Sequence, residues 1–194
     1  MPDQALHRLI EGNARFVADK SASDESTQRR IAVASTQAPF ATVLGCVDSR
    51  VSPELIFDQG LGDLFVIRTA GQVLDRAVLG SLEFGVVELQ IRLLMVLGHK
   101  RCGAVKAAMD ALEAHSILPA EMEYLVEALA PAVEQGRQMD GDRWNQAVRA
   151  QIDLVIQRLS QTPIMQAAIA AGELKLVGAC YDLETGQVEI TSAQ

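Results

Sequence analysis

Apolar and polar positions along this chain follow two different periods, and the switches between them mark its elements. Near the N-terminus Leu6, Leu9, Ile10, Ala14, Phe16 and Val17 recur at close to helical spacing, which predicts an amphipathic helix over residues 3–18. The polar stretch Ser21–Gln28 reads as a loop, so residues 1–28 form a helical arm set apart from the body. Short apolar runs follow at 40–45 (FATVLG), 63–68 (DLFVIR), 92–98 (RLLMVLG) and 174–181 (LKLVGACY). Runs this short and this apolar predict strands buried on both faces of a parallel sheet. Between them, Ser52–Pro53 looks like a helix start, and Val78, Leu82, Val86 and Leu89 form a stripe over 77–89. Another helix is expected over 104–114, and residues 121–135 and 142–171 are mostly helical with breaks near Pro131, Gly136 and Pro163. A turn at Asp182–Gly186 brings the chain back as a short edge strand over 187–191. The pattern predicts an α/β fold: a single domain over 1–194 with a central, mostly parallel β-sheet flanked by helices, an N-terminal helical arm and a C-terminal antiparallel edge strand.

Composition narrows the class. With 194 residues, a net charge of −8, 49% hydrophobic and 22% charged residues, the chain is long enough for one sizeable core and too apolar for intrinsic disorder. The acidic balance and scattered basic residues argue against nucleic acid or an anionic membrane as partner. No run reaches the ~18 apolar residues of a membrane span. The first twenty residues lack an apolar signal core and carry Asp3, Glu11 and Asp19. Three cysteines without a disulfide-like spacing fit a reducing, cytoplasmic setting.

Candidate chemistry lies at two strand ends. Cys46, Asp48 and Arg50 follow the first strand, and His99 and Cys102 follow the third. In open α/β sheets ligands bind outside the carboxyl ends of the strands. These residues meet there only if the two strands are neighbours. Two thiolates and an imidazole suit zinc and leave a fourth position open for catalysis. Taken singly, a cysteine more often fills the core and a histidine is more often structural. Gly103 is expected to let the backbone turn tightly between strand and helix. Asp48 and Arg50 are spaced for a two-pronged ion pair that keeps Asp48 ionised. Lys100 and Arg101 read as a solvated pair, and Cys180 as core.

The segments CVDSRVSPELIFDQGLGDLFVIRTAG, GHKRCGAVKAA and VGACYDLETGQV resemble those of beta-class carbonic anhydrases, and the likeness runs from about Asn13 to Ile190. The resemblance implies Cys46, His99 and Cys102 as ligands of zinc (Zn2+), and Asp48 and Arg50 as a catalytic dyad. It implies reversible hydration of carbon dioxide to bicarbonate and a proton. It also implies a homodimer or homotetramer, with the N-terminal arm packed on a partner subunit. Gly103 is a candidate to bind substrate through its backbone N–H, and Val66, Ala70 and Phe84 are candidate pocket walls. Two thiolates offset the charge of the metal, so activity is expected to rise towards alkaline pH. Some members carry a regulatory bicarbonate pocket built with an early tryptophan, an arginine and a tyrosine. Here Arg68 and Tyr181 are present, but the only tryptophan is Trp144, which argues against that pocket. Two other readings stay open: a hydrolase of carbonyl sulfide or carbon disulfide on the same scaffold, and a non-catalytic zinc-bearing assembly module.

Overall fold

The computed structural model describes residues 1–193. Four strands run parallel: β1 (Ala41–Cys46), β2 (Leu64–Thr69), β3 (Leu93–His99) and β4 (Lys175–Tyr181). The fifth, β5 (Val188–Ala193), returns antiparallel along β4. The order is β2-β1-β3-β4-β5. The chain therefore leaves β1 towards one edge and comes back to β1's other side as β3. That reversal opens a crevice above the carboxyl ends of β1 and β3, the usual ligand position in such sheets. Gly45 pairs with Leu97, which puts Cys46 level with Gly98 and His99 one residue further along.

Every residue of β1 and β3 is buried, as their unbroken apolar runs require. Alternate side chains feed two cores. Leu44, Val96 and Leu176 face one core, with Leu82, Leu129 and Ile152 from the helices. Val43, Met95, Leu97 and Val177 face the other, which Leu9 and Phe57 close. This alternation is the period-2 geometry of a strand covered on both faces.

The helices are α1 (Pro2–Val17), α2 (Thr27–Ala32), α3 (Pro53–Ile56), α4 (Arg76–Val87), α5 (Gly103–Ala114), α6 (Met122–Arg137), α7 (Arg143–Ser160) and α8 (Pro163–Ala170). Three details differ from expectation. The stretch expected as a loop ends in α2, where the Ser26 side chain accepts a hydrogen bond from Arg29 N–H. Helix α6 runs through Pro131 without a break, because burial of Val126, Leu129, Ala132 and Val133 offsets the one lost backbone bond. The arm also folds onto its own body. Buried Asn13 donates to the carbonyls of Ile56 (3.1 Å) and Gly186 (2.8 Å) and accepts from Val188 N–H at 2.9 Å. Helix α1 still leaves His7, Arg8, Glu11 and Ala14 exposed.

Helix α7 comes unusually close to the sheet. A side chain at Gly98 would place its Cβ 2.6 Å from Ile152 Cδ1 and force that side chain to shift, so glycine lets the helix sit close there. The contact lies one residue before His99.

Candidate metal centre

Cys46 ends β1, His99 ends β3, and Cys102 stands at the mouth of α5. Their donor atoms lie within 4.8 Å of one another, and the two sulfurs are 3.9 Å apart. All three residues are buried: Cys46 is 3% exposed, Cys102 1% and His99 0%. The sheet order thus brings together the two strand ends that carry them.

The donor set fits a zinc ion on three counts. His99 Nδ1 lies 3.0 Å from the Lys100 carbonyl, which places the ring proton there and leaves Nε2 as a lone pair. That Nε2 is buried and has no hydrogen-bond partner among the described residues, a costly state that a metal would relieve. The two sulfurs compete for one charge. Cys46 is held far below an ordinary thiol by the hydrogen bond from Cys102, against the cost of its burial. Cys102 is pushed up by that same partnership and by burial. Two buried thiols this close cannot both ionise without a cation between them, and a divalent ion removes the conflict. Finally, the N–H groups of Ala104 and Val105, at the start of α5, point at the Cys102 sulfur and favour its thiolate.

Asp48 and Arg50 sit at the rim. The guanidinium grips the carboxylate with Nε at 2.9 Å and Nη2 at 2.7 Å, and the Arg50 backbone N–H adds a third bond at 3.0 Å. Arg50 holds the Asp48 carboxyl well below the usual range, so Asp48 is an anion and a pure acceptor. Its Oδ2 lies 3.8 Å from His99 Nε2, too far for a hydrogen bond and close enough to face whatever occupies the centre.

Two further groups hold this end and were not expected there. Arg68, the last-but-one residue of β2, donates Nε to the Cys46 carbonyl and Nη2 to the Asp48 carbonyl, both at 2.7 Å. An arginine closing an apolar strand was the one signal of this in the sequence. Trp144 Nε1 donates to the Cys102 carbonyl at 2.9 Å.

Other placements correct the sequence reading. The tight turn between His99 and Cys102 is made by Arg101, whose φ of 56° is left-handed, and not by Gly103. This backbone costs about 1–2 kcal/mol for a residue with a side chain. Gly103 instead begins α5 with open space around it, since a Cβ there would meet nothing within 4 Å. Lys100 and Arg101 face solvent as expected, in ion pairs with Asp182 (2.6 Å) and Glu184 (2.7 Å) on the turn before β5. Phe84 stacks on Phe65 at 6.3 Å. Phe65 pairs with Thr42, four residues below Cys46, so this chain's Phe84 does not border its own centre. Val66 pairs with Val43, also below it, whereas Ala70 follows directly on Thr69, the register partner of Cys46. Cys180 is core, with a thiol pushed up to about 11 by burial.

The parallel sheet, its reversal at β1 and a Cys–His–Cys donor set with a carboxylate–guanidinium pair at the rim define an α/β protein built around a zinc-type centre. The carbonic anhydrase family profile matches residues 41–188. The chain belongs to that family, in its beta class. It is 41% identical over 194 residues to a carbonic anhydrase of Mycolicibacterium smegmatis, covering 98% of this chain and 94% of that protein. Among solved structures, the beta-carbonic anhydrase CcaA superposes with a TM-score of 0.76 at 27% identity, over 96% of this chain and 95% of that one. The beta-carbonic anhydrase of Coccomyxa, in complex with acetazolamide, gives 0.76 at 28% identity, over 97% of this chain and 87% of that one.

Proposed function

We propose that this member of the family catalyses the reversible hydration of carbon dioxide to bicarbonate and a proton, with zinc held by Cys46, His99 and Cys102. The observation that carries this reading is the unpartnered Nε2 of His99 within 4.8 Å of two sulfurs, with an ionised carboxylate facing it. When bound, zinc supplies a Lewis acid that makes water a nucleophile near neutral pH.

The chain's own groups do the rest. Asp48, locked ionised by Arg50, only accepts hydrogen bonds. It therefore selects an O–H donor on its inner side and fixes the direction in which that oxygen's lone pair points. Arg50 binds both oxygens of the carboxylate and so fixes its orientation beside the centre. Arg68 fixes the backbone of both Cys46 and Asp48, so ligand and acceptor move as one unit. The free N–H at Gly103 opens the helix N-terminus to a substrate oxygen without a side chain in the way.

The protein is proposed to act as a homodimer or homotetramer. In support, β2 is an edge strand, and α4 beside it leaves Phe84 and Val87 about half exposed (46% and 52%). The outer face of α1 is the part of the arm available to a partner. No helix among the described residues is long and apolar enough to cross a membrane. Three unpaired buried cysteines support a reducing, cytoplasmic setting.

Stopped-flow carbon dioxide hydration, with metal analysis on the same sample from about pH 6.5 to 9, tests the reading. One zinc per chain and turnover rising towards alkaline pH is the expected result. Bound zinc with no turnover at any pH would sink it and return the hydrolase and assembly readings to first place.

A further inference from the structure

We propose that the first turn of α7 positions the ligand Cys102, and that Trp144 and Asn145 thereby set how long the metal stays bound. The inference rests on the zinc reading above and concerns residues outside the ligand set.

The geometry is specific to this turn. Asp142 caps α7, accepting from Trp144 N–H at 3.0 Å. Its second carboxylate oxygen accepts from the Asn145 side-chain amide at 2.8 Å. The amide is thereby oriented, and its Oδ1 accepts the backbone N–H of Arg101 at 3.2 Å. Arg101 is the left-handed residue between the two ligands, so Asn145 supports the conformation that turns Cys102 towards His99. On the other side of the ligand, Trp144 Nε1 donates to the Cys102 carbonyl. That carbonyl also accepts from Lys106 N–H at 3.0 Å in the first turn of α5. Two donors on one oxygen hold the peptide plane after Cys102 and therefore the direction of its Cα–Cβ bond.

The rest of α7 holds the helix in place for this task. The close approach at Gly98 sets the helix against β3 just before His99. Further along, buried Gln151 donates to the carbonyl of Gly71 at 3.0 Å, the residue whose own N–H reaches the Cys46 sulfur. One rigid helix thus touches the segments beside two of the three ligands. Partners one shell outside a metal change its affinity by about 10–100-fold when lost, because they hold the ligand's direction.

The test uses the full-length, zinc-loaded protein. Zinc release to a chelating indicator is timed for the wild type, Trp144→Phe and Asn145→Ala, with urea unfolding of each measured alongside. Trp144→Phe keeps an aromatic ring and removes the N–H. Asn145→Ala removes the acceptor from a partly exposed site. Both are expected to release zinc at least about 10-fold faster, with the Asn145→Ala midpoint in urea close to that of the wild type. Trp144 is the only tryptophan in the chain, so its emission reports on the centre directly. In the wild type that emission is expected to change in step with zinc loss. Wild-type release rates in both variants, or an emission indifferent to zinc, would overturn the inference. A wild type that holds no zinc would overturn the functional reading, and this inference with it.

Discussion

The two ends of the sheet that meet at the centre are built in opposite ways. At the end of β1 the fixing is done by charged side chains. Arg68 ties two carbonyls, and Arg50, 57% exposed, clamps Asp48. At the end of β3 the fixing is done by other elements. His99 and Cys102 are sealed from solvent, the Lys100 N–H is held by the Tyr181 carbonyl, and α7 grips the turn. In the proposed mechanism the open end carries the groups that meet substrate, and the closed end carries two of the three candidate ligands. Charged clamps can stand in water at little cost, whereas a buried turn needs neighbours to satisfy its backbone. Removing a group should therefore cost activity at one end and metal or stability at the other.

The comparison can be broken most directly at the closed end. His99→Ala removes a ligand and is expected to lower zinc affinity by more than the ~100-fold that an outer partner costs. Elemental analysis after dialysis should find less than one zinc per chain; full occupancy would mean that His99 is not a ligand. At the open end, Asp48→Ala is expected to keep zinc and lose about 10²-fold or more in turnover. Full activity in that variant would remove Asp48 from the mechanism. Arg68→Met tests whether ligand and acceptor are tied together. Two buried carbonyls lose their donors, at about 1–3 kcal/mol each, so both kcat and the unfolding midpoint should fall together. A loss of kcat alone would mean that Arg68 touches substrate.

The smallest effect lies outside both ends and serves as their control. Burial raises the Asp58 carboxyl, but Arg15 at 2.5 Å and the N–H groups of Ala22 and Ser23 outweigh it and hold it below the usual value. A depressed carboxyl stabilises the fold above its unfolded pKa of about 3.9, and that gain fades as pH falls through the lower folded value. Asp58→Asn should therefore lower Tm at neutral pH, by a margin that shrinks in acid, with zinc content unchanged. A margin constant with pH would show that packing, not charge, anchors the arm.

Much of this was legible in the residues. β1, β3 and β4 appear as apolar runs because burial on both faces leaves little room for polar positions, whereas β2, an edge strand partly buried along its length, ends in Arg68 and Thr69; each run lies within a residue or two of its strand. The candidate donor set was marked by cysteine and histidine at two strand ends, and the resemblance to the family, not the residues alone, assigned them to zinc. What could not be read is what only three dimensions supply. That β1 and β3 are neighbours follows from the sheet order. Pro131 looks like a break because the local rule against proline ignores the buried face that carries α6 across it. Arg101 hides its left-handed backbone, since an arginine there has no local reason to adopt it; the reason is Asn145, forty-four positions on. Trp144 counted against a regulatory pocket by its late position, and its bond to the Cys102 carbonyl could not be read from that.

The left-handed turn at Arg101 also bears on the order in which the molecule is made. All three candidate ligands have been added to the chain by residue 102, yet the groups that support their turn come much later. Asn145 and Trp144 lie in α7, Tyr181 ends β4, and Glu184 follows it. Synthesis runs from the N-terminus at about 5–20 residues per second, so the strained turn waits some seconds without its supports. On the proposed reading, metal capture by the growing chain is expected to be late: released chains truncated near residue 130 should fail to retain zinc that the full chain keeps. The residues of the centre are in the chain by position 102, and the supports of its turn arrive only with α7, β4 and the turn that follows it.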